Sequence, residues 1–264
     1  MRVALAYRSA HDRWSSHWAD EAALVASSSG PEGPCTLALV ADGLLGQGFG
    51  YVPTSVVLSL AREHLRAASS QPPDLALAAL LKAAHERLLE IPRAPRGGLV
   101  YGNMGAAVAA AWIARGRVAF ALAGDGCVVR IRGGAQESLL EAHTLVNTLR
   151  RAQVPDWEEI ERRYGHVLVR CLGFASAEVP WDLREEALEP GDRFVLGSRG
   201  LAAQLGRGES LGPDLEEGLA GLVARPLPEG PLESCAAALE YDGPDLPAGE
   251  RWIGAYDADR VPRV

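Results

Sequence analysis

Residues 36–43 read TLALVADG, a continuous apolar run that ends in an aspartate and a glycine. A run of this length and character is typical of a strand that is buried on both faces. The stretch that follows contains Gly46, Gly48 and Gly50 and favours a turn. We therefore predict a central strand whose end presents the carboxylate of Asp42.

Two amphipathic helices are predicted after this strand. The first opens at Pro53, where apolar residues begin to recur at helical spacing, so Thr54 or Ser55 is its expected N-cap. The second follows a pair of prolines, and Asp74 is its expected N-cap. The buried stripe of the second helix is predicted to consist of Leu77, Leu81, Ala84, Leu88 and Ile91.

Extended patterns dominate the rest of the chain. The predicted strands span residues 106–113, 118–123, 127–132, 166–171, 193–196 and 235–241, and the predicted helices span residues 145–153, 156–163 and 214–224. Arg115 and Gly116 indicate a hairpin turn between the first two of these strands. This order favours helices on the outer faces of antiparallel sheets over alternating βαβ units. We therefore predict an α+β fold.

No change of composition divides the chain, so we predict a single domain over residues 1–242. Residues 243–264 carry Pro244, Pro247 and Pro262 and are expected to form a tail that is either wrapped on the domain or loose.

Charge and hydropathy exclude several classes of function. The net charge is −8 and the basic residues are scattered, which removes the positive surface that a nucleic acid needs. The longest apolar run, residues 104–114, is shorter than the about 20 residues that cross a bilayer. The N-terminal apolar run, residues 3–7, is too short for a signal peptide. We expect a cytoplasmic protein without nucleic-acid or membrane partners.

The four cysteines are far apart in the sequence. They are Cys35, Cys127, Cys171 and Cys235. No pair has the short spacing of a zinc site or a redox dithiol, so we expect buried free thiols in a reducing compartment.

Five short blocks stand out for their order and spacing. They are His11 with Asp20 nine residues later, VADG at residues 40–43, MGAAV at residues 104–108 with GDG at residues 124–126, HTLVN at residues 143–147, and LEPGDR at residues 188–193 leading to SRGL at residues 198–201. In this order they resemble blocks of the metal-dependent PPM, or type 2C, protein phosphatases, particularly a bacterial subgroup. The resemblance spans residues 11 to about 240.

The resemblance implies a four-layer α-β-β-α sandwich of two antiparallel sheets flanked by helices. It also implies a reaction in which two Mg²⁺ or Mn²⁺ ions deprotonate a water that attacks phosphoserine or phosphothreonine. Asp42 matches the family's bridging carboxylate, and the carbonyl of Gly43 matches a further ligand. Asp20 stands where an N-terminal acidic residue falls, and Asp125 matches an accessory aspartate.

Two positions depart from the family pattern. Where relatives carry S-D-G, this chain has Arg199 between Ser198 and Gly200, so a carboxylate is replaced by a permanent cation. The family's D-N pair near the C-terminus is absent, and Glu233 is the best remaining match. We expect Arg199 to occupy the place of the first metal and to pair with Asp42, Asp125 or both. The expected cofactor is none, or weakly bound Mg²⁺ or Mn²⁺.

Three of these residues also have a structural interpretation. Asp42 and Asp125, each beside a glycine, could be turn residues. Arg199 could be a solvated residue at the start of a helix.

The N-terminal candidates are equally open. His11 could be catalytic or could be a structural hydrogen-bonding residue. Arg13 or Arg8 could hold a substrate phosphate, as an arginine of the family does, or could remain exposed to solvent.

Two hypotheses of function follow. The first is a signalling pseudophosphatase that binds a protein partner, such as a phosphorylated protein or a kinase, with little or no serine/threonine phosphatase activity. The second is an active but atypical metal-dependent phosphatase that uses Asp42, Gly43, Asp20, Asp125 and Glu233. A dinucleotide-binding enzyme is disfavoured, because Tyr51 follows the glycine-rich turn and the spacing G-x-G-x-x-G is not met.

Overall fold

The computed structural model describes residues 1–8, 21–30, 33–44, 50–67, 71–91, 104–155, 157–165, 167–174, 179–226, 234–243 and 249–254. The elements in these ranges are β1 (Arg2–Arg8), β2 (Glu21–Gly30), β3 (Gly33–Leu44), α1 (Tyr51–Ala67), α2 (Pro73–Glu90), β4 (Gly105–Ala114), β5 (Arg117–Ala123), β6 (Cys127–Arg132), β7 (Ala135–Ser138), α3 (Leu145–Arg151), α4 (Trp157–Tyr164), β8 (Asp182–Ala187), β9 (Arg193–Gly197), α5 (Arg199–Gly206), α6 (Leu215–Ala224), β10 (Ser234–Glu240) and β11 (Glu250–Gly254).

The strands form two antiparallel sheets. One has the order β1-β10-β9-β6-β7, and the other has the order β11-β2-β3-β4-β5-β8. The predicted strand of residues 36–41 is the middle of β3, and every side chain from Thr36 to Ala41 is buried. The strand continues past the predicted end, because Asp42 still pairs with Glu21 on one side and with Ala107 on the other.

Apolar side chains fill three successive layers. Helices α1 and α2 cover the outer face of the six-stranded sheet, where Trp112 is fully buried. Between the sheets, the rings of Phe120 and Phe194 pack at an interplanar angle of 54°, with their centroids 5.0 Å apart. Helices α5 and α6 cover the five-stranded sheet around Leu219. The predicted α+β architecture of two antiparallel sheets flanked by helices is confirmed.

The two long helices start earlier than predicted. Helix α1 begins at Tyr51, so Thr54 lies in its first turn. Helix α2 has Pro72 as its N-cap, with Asp74 in the first turn, because proline suits the first helical positions where no N–H is needed. The predicted stripe of α2 is confirmed for Leu77, Leu81, Ala84 and Leu88, and Ile91 packs against the same core from just beyond the helix. No helix in the described ranges is long and apolar enough to cross a membrane.

Two sequence predictions of extended structure differ from the fold. Residues 166–171 do not form a strand within the described part. Leu168 makes only an isolated bridge to Thr144, and the neighbouring Leu172 makes one to Ala106. Conversely, Glu250–Gly254, within the predicted tail, is the edge strand β11 and pairs with β2. A short apolar run does not by itself establish that a strand forms.

All four cysteines are buried and free, as predicted. Burial raises the pKa of the thiols of Cys127 and Cys171 to about 12. Both thiols are therefore protonated at neutral pH and are poor nucleophiles.

Candidate functional site

The candidate site lies where strand ends of the two sheets meet. From the six-stranded sheet come Asp42, near the end of β3, and Asp125, in the turn that follows β5. From the five-stranded sheet comes Arg199, at the start of α5 directly after β9. The backbones approach closely here, since a Cβ built on Gly126 would lie 2.5 Å from the carbonyl oxygen of Gly197. This meeting point of the two sheets, called the sheet seam below, therefore brings together residues that are far apart in the sequence.

Gly43 is required at its position by close packing. A Cβ built on it would lie 1.6 Å from the carbonyl oxygen of Gly50 and 2.8 Å from Oγ1 of Thr54. The end of β3 thus contacts the first turn of α1 directly. This packing explains the glycine after Asp42 without a metal, and the role of the Gly43 carbonyl as a ligand stays a prediction.

Asp125 and Arg199 form an ion pair at this seam. Nε of Arg199 lies 3.8 Å from Oδ2 of Asp125, which agrees with the predicted proximity. Asp125 is only 8% exposed, whereas the side chain of Arg199 is 42% exposed. Burial raises the pKa of Asp125, while the charge of Arg199 and a backbone hydrogen bond oppose this rise. The carboxylate is therefore only partly compensated.

One oxygen of this carboxylate is left without a partner. Oδ1 of Asp125 is buried and accepts no hydrogen bond from any described residue. An unsatisfied buried acceptor costs about 1 to 3 kcal/mol, so its presence is more typical of a functional position than of a structural one.

A second buried carboxylate was missed in the sequence. Glu21 is 4% exposed, and its Oε2 accepts a hydrogen bond of 2.8 Å from Oγ of Ser198. The same hydroxyl accepts a hydrogen bond of 3.0 Å from the backbone N–H of Cys235. Glu21 lies opposite Asp42 in the register of β2 and β3. The available signal was a carboxylate directly before the apolar run of residues 22–26 and next to the candidate Asp20.

Arg8 lies at the same end of the five-stranded sheet, opposite Ser234. Its Nη1 donates to the carbonyl of Arg225 at the C-cap of α6, and Nε2 of Gln204 donates to the same carbonyl at 2.9 Å. One donor of Arg8 is therefore engaged in the fold, and its role in phosphate binding stays a prediction. The other predicted site residues, His11, Arg13, Asp20 and Glu233, lie outside the described residues.

The described residues do not fit a two-ion centre. In the ranges that the structure describes, no group of three His, Cys, Asp or Glu side chains is arranged to hold a metal ion. Asp42 and Gly43 offer one carboxylate and one carbonyl, and the guanidinium of Arg199 stands beside the carboxylate of Asp125. The positive charge of Arg199 would repel a divalent ion bound next to it and would therefore weaken the binding of that ion.

Comparisons with known proteins agree with this fold. Residues 10–229 match the family model of protein phosphatase 2C. A Streptococcus pyogenes protein named as protein phosphatase 2C-type is 26% identical over 178 residues, which cover 66% of this chain and 70% of the relative.

Solved structures of bacterial serine/threonine phosphatases superpose on most of the chain. The S. agalactiae serine/threonine phosphatase has a TM-score of 0.72 at 21% identity and covers 92% of this chain and 99% of its own. PstP/Ppp of Mycobacterium tuberculosis has a TM-score of 0.69 at 19% identity, with coverages of 92% and 99%. The catalytic domain of PstP in complex with two manganese ions has a TM-score of 0.65 at 20% identity, with coverages of 91% and 98%.

Proposed function

This chain belongs to the protein phosphatase 2C family, and from that premise we propose that it is a pseudophosphatase. It binds a phosphoserine- or phosphothreonine-containing segment of a protein partner, such as a phosphorylated protein or a kinase, and hydrolyses it little or not at all. Such a protein would act in signalling in the cytoplasm.

The observation that carries the proposal is the position of Arg199. By the family resemblance it stands where relatives carry a metal-binding aspartate, and its Nε lies 3.8 Å from Oδ2 of Asp125. A bound pair of Mg²⁺ or Mn²⁺ ions would supply a nucleophilic hydroxide and offset the charge of the phosphoryl group. A guanidinium can offset that charge but cannot act as a Lewis acid toward water. Binding of phosphate can therefore persist where hydrolysis fails.

The exposure of Arg199 supports phosphate binding. With 42% of its side chain accessible and its Nε beside Asp125, the guanidinium has donors left for an incoming anion. Guanidinium groups bind phosphate oxygens through paired, charge-assisted hydrogen bonds. The segment's phosphate would thus meet a fixed cation at the sheet seam.

A second candidate is an active but atypical metal-dependent phosphatase. The observation that favours it is the unpartnered Oδ1 of Asp125, a buried acceptor suited to a metal-bound water. The residues that would serve such an enzyme are Asp42, Gly43, Asp20, Asp125 and Glu233, with Glu21 as a further carboxylate. Mg²⁺ or Mn²⁺ would be its cofactor.

Hydrolysis and binding assays on the purified chain separate the two candidates. We expect hydrolysis of p-nitrophenyl phosphate in millimolar Mn²⁺ to stay near the rate of a buffer control, and a fluorescent phosphoserine peptide to bind more tightly than its unphosphorylated form. Arg199→Met should weaken peptide binding about tenfold, while Arg66→Met, at the far end of α1, should not. Turnover of about 1 per second would contradict the pseudophosphatase and support the atypical enzyme.

A further inference from the structure

His143 contacts the turn that carries Asp125. The side chain is 1% exposed. Its Nδ1 accepts a hydrogen bond of 3.3 Å from the backbone N–H of Gly124, and its own backbone N–H donates to the Gly124 carbonyl at 2.8 Å. His143 thus forms hydrogen bonds with both the backbone N–H and the backbone carbonyl of Gly124.

The other ring nitrogen is bound to an ion pair. Nε2 of His143 lies 3.0 Å from Oδ2 of Asp182. Asp182 also accepts two hydrogen bonds of 3.0 Å from Arg170. Because Nδ1 accepts from Gly124, the ring proton lies on Nε2 and is donated to Asp182. The Arg170–Asp182 pair therefore fixes both the tautomer and the orientation of the imidazole.

The turn itself has little freedom to move. Gly124 has a φ of +97°, and a Cβ built on it would lie 2.5 Å from the Cβ of Ala107. Asp125 follows directly and is nearly buried. A shift of the Gly124 peptide would therefore shift the Asp125 carboxylate relative to Arg199.

We propose that His143 is a positioning residue for the candidate site, and that it holds Asp125 in place beside Arg199 through the Gly124 peptide. Arg170 and Asp182 orient the imidazole for this task. The inference rests on the proposed function in one respect: the distance between Asp125 and Arg199 matters to function only if a phosphate binds at Arg199. The positioning itself can be measured without any ligand.

Two isosteric changes separate the two contacts of the ring. In His143→Asn the amide oxygen lies near the position of Nδ1, so the acceptor for Gly124 is kept and the contact with Asp182 is lost. In His143→Gln the longer amide reaches toward Asp182, and the acceptor for Gly124 is lost. We expect His143→Gln to raise amide exchange at Gly124 about tenfold and to shift the NMR titration of the Asp125 carboxyl, and we expect His143→Asn to change both groups much less.

His85 provides a matched control. It is 6% exposed, and its Nδ1 accepts a hydrogen bond of 3.0 Å from the backbone N–H of Gly173. We expect His85→Gln to raise exchange at Gly173 and to leave exchange at Gly124 unchanged. Equal effects of His143→Asn and His143→Gln on Gly124 and Asp125, or no effect of either, would overturn the proposal.

Measurements on the unmodified protein cover the case in which a variant fails to fold. Imidazole ¹⁵N shifts should show an unprotonated Nδ1 and a protonated Nε2 for His143 at pH 7.5. A protonated Nδ1 would overturn the positioning role. Failure of the proposed function would be seen separately, as equal affinity of the protein for phosphorylated and unphosphorylated peptides, with these NMR results unchanged.

Discussion

Two buried aspartates in this protein illustrate how the surroundings of a carboxylate determine its effect on stability. Asp192 is fully buried, receives two hydrogen bonds from Arg132 at 2.6 and 2.7 Å, and accepts the backbone N–H of Glu189 at 2.9 Å. Asp125 is nearly as buried but has one distant cation and an unpartnered oxygen. We expect the first carboxylate to stabilise the fold and the second to destabilise it.

We therefore predict opposite effects of the same substitution at these two positions. At pH 7, Asp125→Asn should raise the free energy of unfolding by about 1 kcal/mol, because it removes a poorly compensated buried charge. Asp192→Asn should lower it by about 2 kcal/mol, because it weakens charge-assisted hydrogen bonds. Urea denaturation measures both. Because folding raises the pKa of Asp125, the stability gained by Asp125→Asn should vanish below about pH 3.8, where the wild-type carboxyl is protonated in both the folded and the unfolded chain. A destabilising Asp125→Asn at pH 7 would contradict this interpretation.

At this scale the sequence predicted part of the site. The proximity of Arg199 and Asp125 followed from two motifs whose arrangement the family resemblance supplied. Glu21 was missed because its partner, Ser198, lies 177 residues away, and only the fold brings the two together. His143 was noted within a motif, but its contact with Gly124 depends on a side-chain orientation that no spacing reveals.

Between β3 and α1 a single glycine determines how closely two elements approach. Gly43 contacts the carbonyl of Gly50, so any side chain at this position would displace the start of α1 from the end of β3. Asp42 directly precedes Gly43, so the position of its carboxylate depends on this packing of β3 against α1.

Gly43→Ala should destabilise the protein by about 3 kcal/mol, because the added Cβ overlaps backbone atoms that cannot move aside. Gly221→Ala is the control. Gly221 lies on the exposed side of α6 with no atom within 4 Å of a built Cβ, so alanine there should stabilise the protein by about 0.5 to 1 kcal/mol. Thermal denaturation of the two variants tests the contrast. A tolerated alanine at residue 43 would show that the approach of β3 to α1 is looser than described.

We expect the two histidine-bound turns to make stability depend on pH. Burial is the main cause that lowers the pKa of His85 and of His143 below 6.5. The negative charge of Glu86 partly opposes this shift at His85. At His143, Asp182 opposes the shift, whereas the positive charges of Arg170 and Arg151 reinforce it. The two histidines therefore bind protons more readily in the unfolded chain than in the folded one. Their stabilising effect is complete above about pH 6.5 and is lost as the pH falls toward their pKa values in the folded protein.

We expect the free energy of unfolding, measured in urea, to be lower at pH 5.5 than at pH 7.5. The double variant with His85→Asn and His143→Asn should show a smaller difference between these two pH values. An unchanged difference in the double variant would show that other groups cause the pH dependence.

Periodicity predicted β3, β4, β5, β6, β9, β10 and both long helices, since these carry a clear buried face, but the apolar strands β1 and β2 were missed. It failed for β8, whose sequence DLREEA is mostly charged. That strand is held by pairing with β5 and by ion pairs such as Arg117 with Glu185, and neither produces an alternating apolar pattern. Tertiary context therefore determined the strand, as is common at sheet edges.

Across the whole molecule, polar contacts join the two sheets at both sides of the central core. Near their edges, Arg130 and Arg184 each bind Glu137 and Glu186, which connects β6 and β7 to β8. At the candidate site, Ser198 and Glu21 connect β9 to β2. Arg199 adds a positive charge beside the carboxylates at this second place. We therefore expect the chain's own residues, rather than metal ions, to hold this seam together.

Isothermal titration calorimetry with Mn²⁺ tests this claim most directly. For the wild-type chain we predict no saturable binding in the micromolar range, because the guanidinium of Arg199 opposes a divalent cation at the seam. Arg199→Asp should acquire Mn²⁺ binding and, by mass action, a melting temperature that rises with added metal. Two Mn²⁺ ions bound per wild-type chain with micromolar affinity would contradict the account.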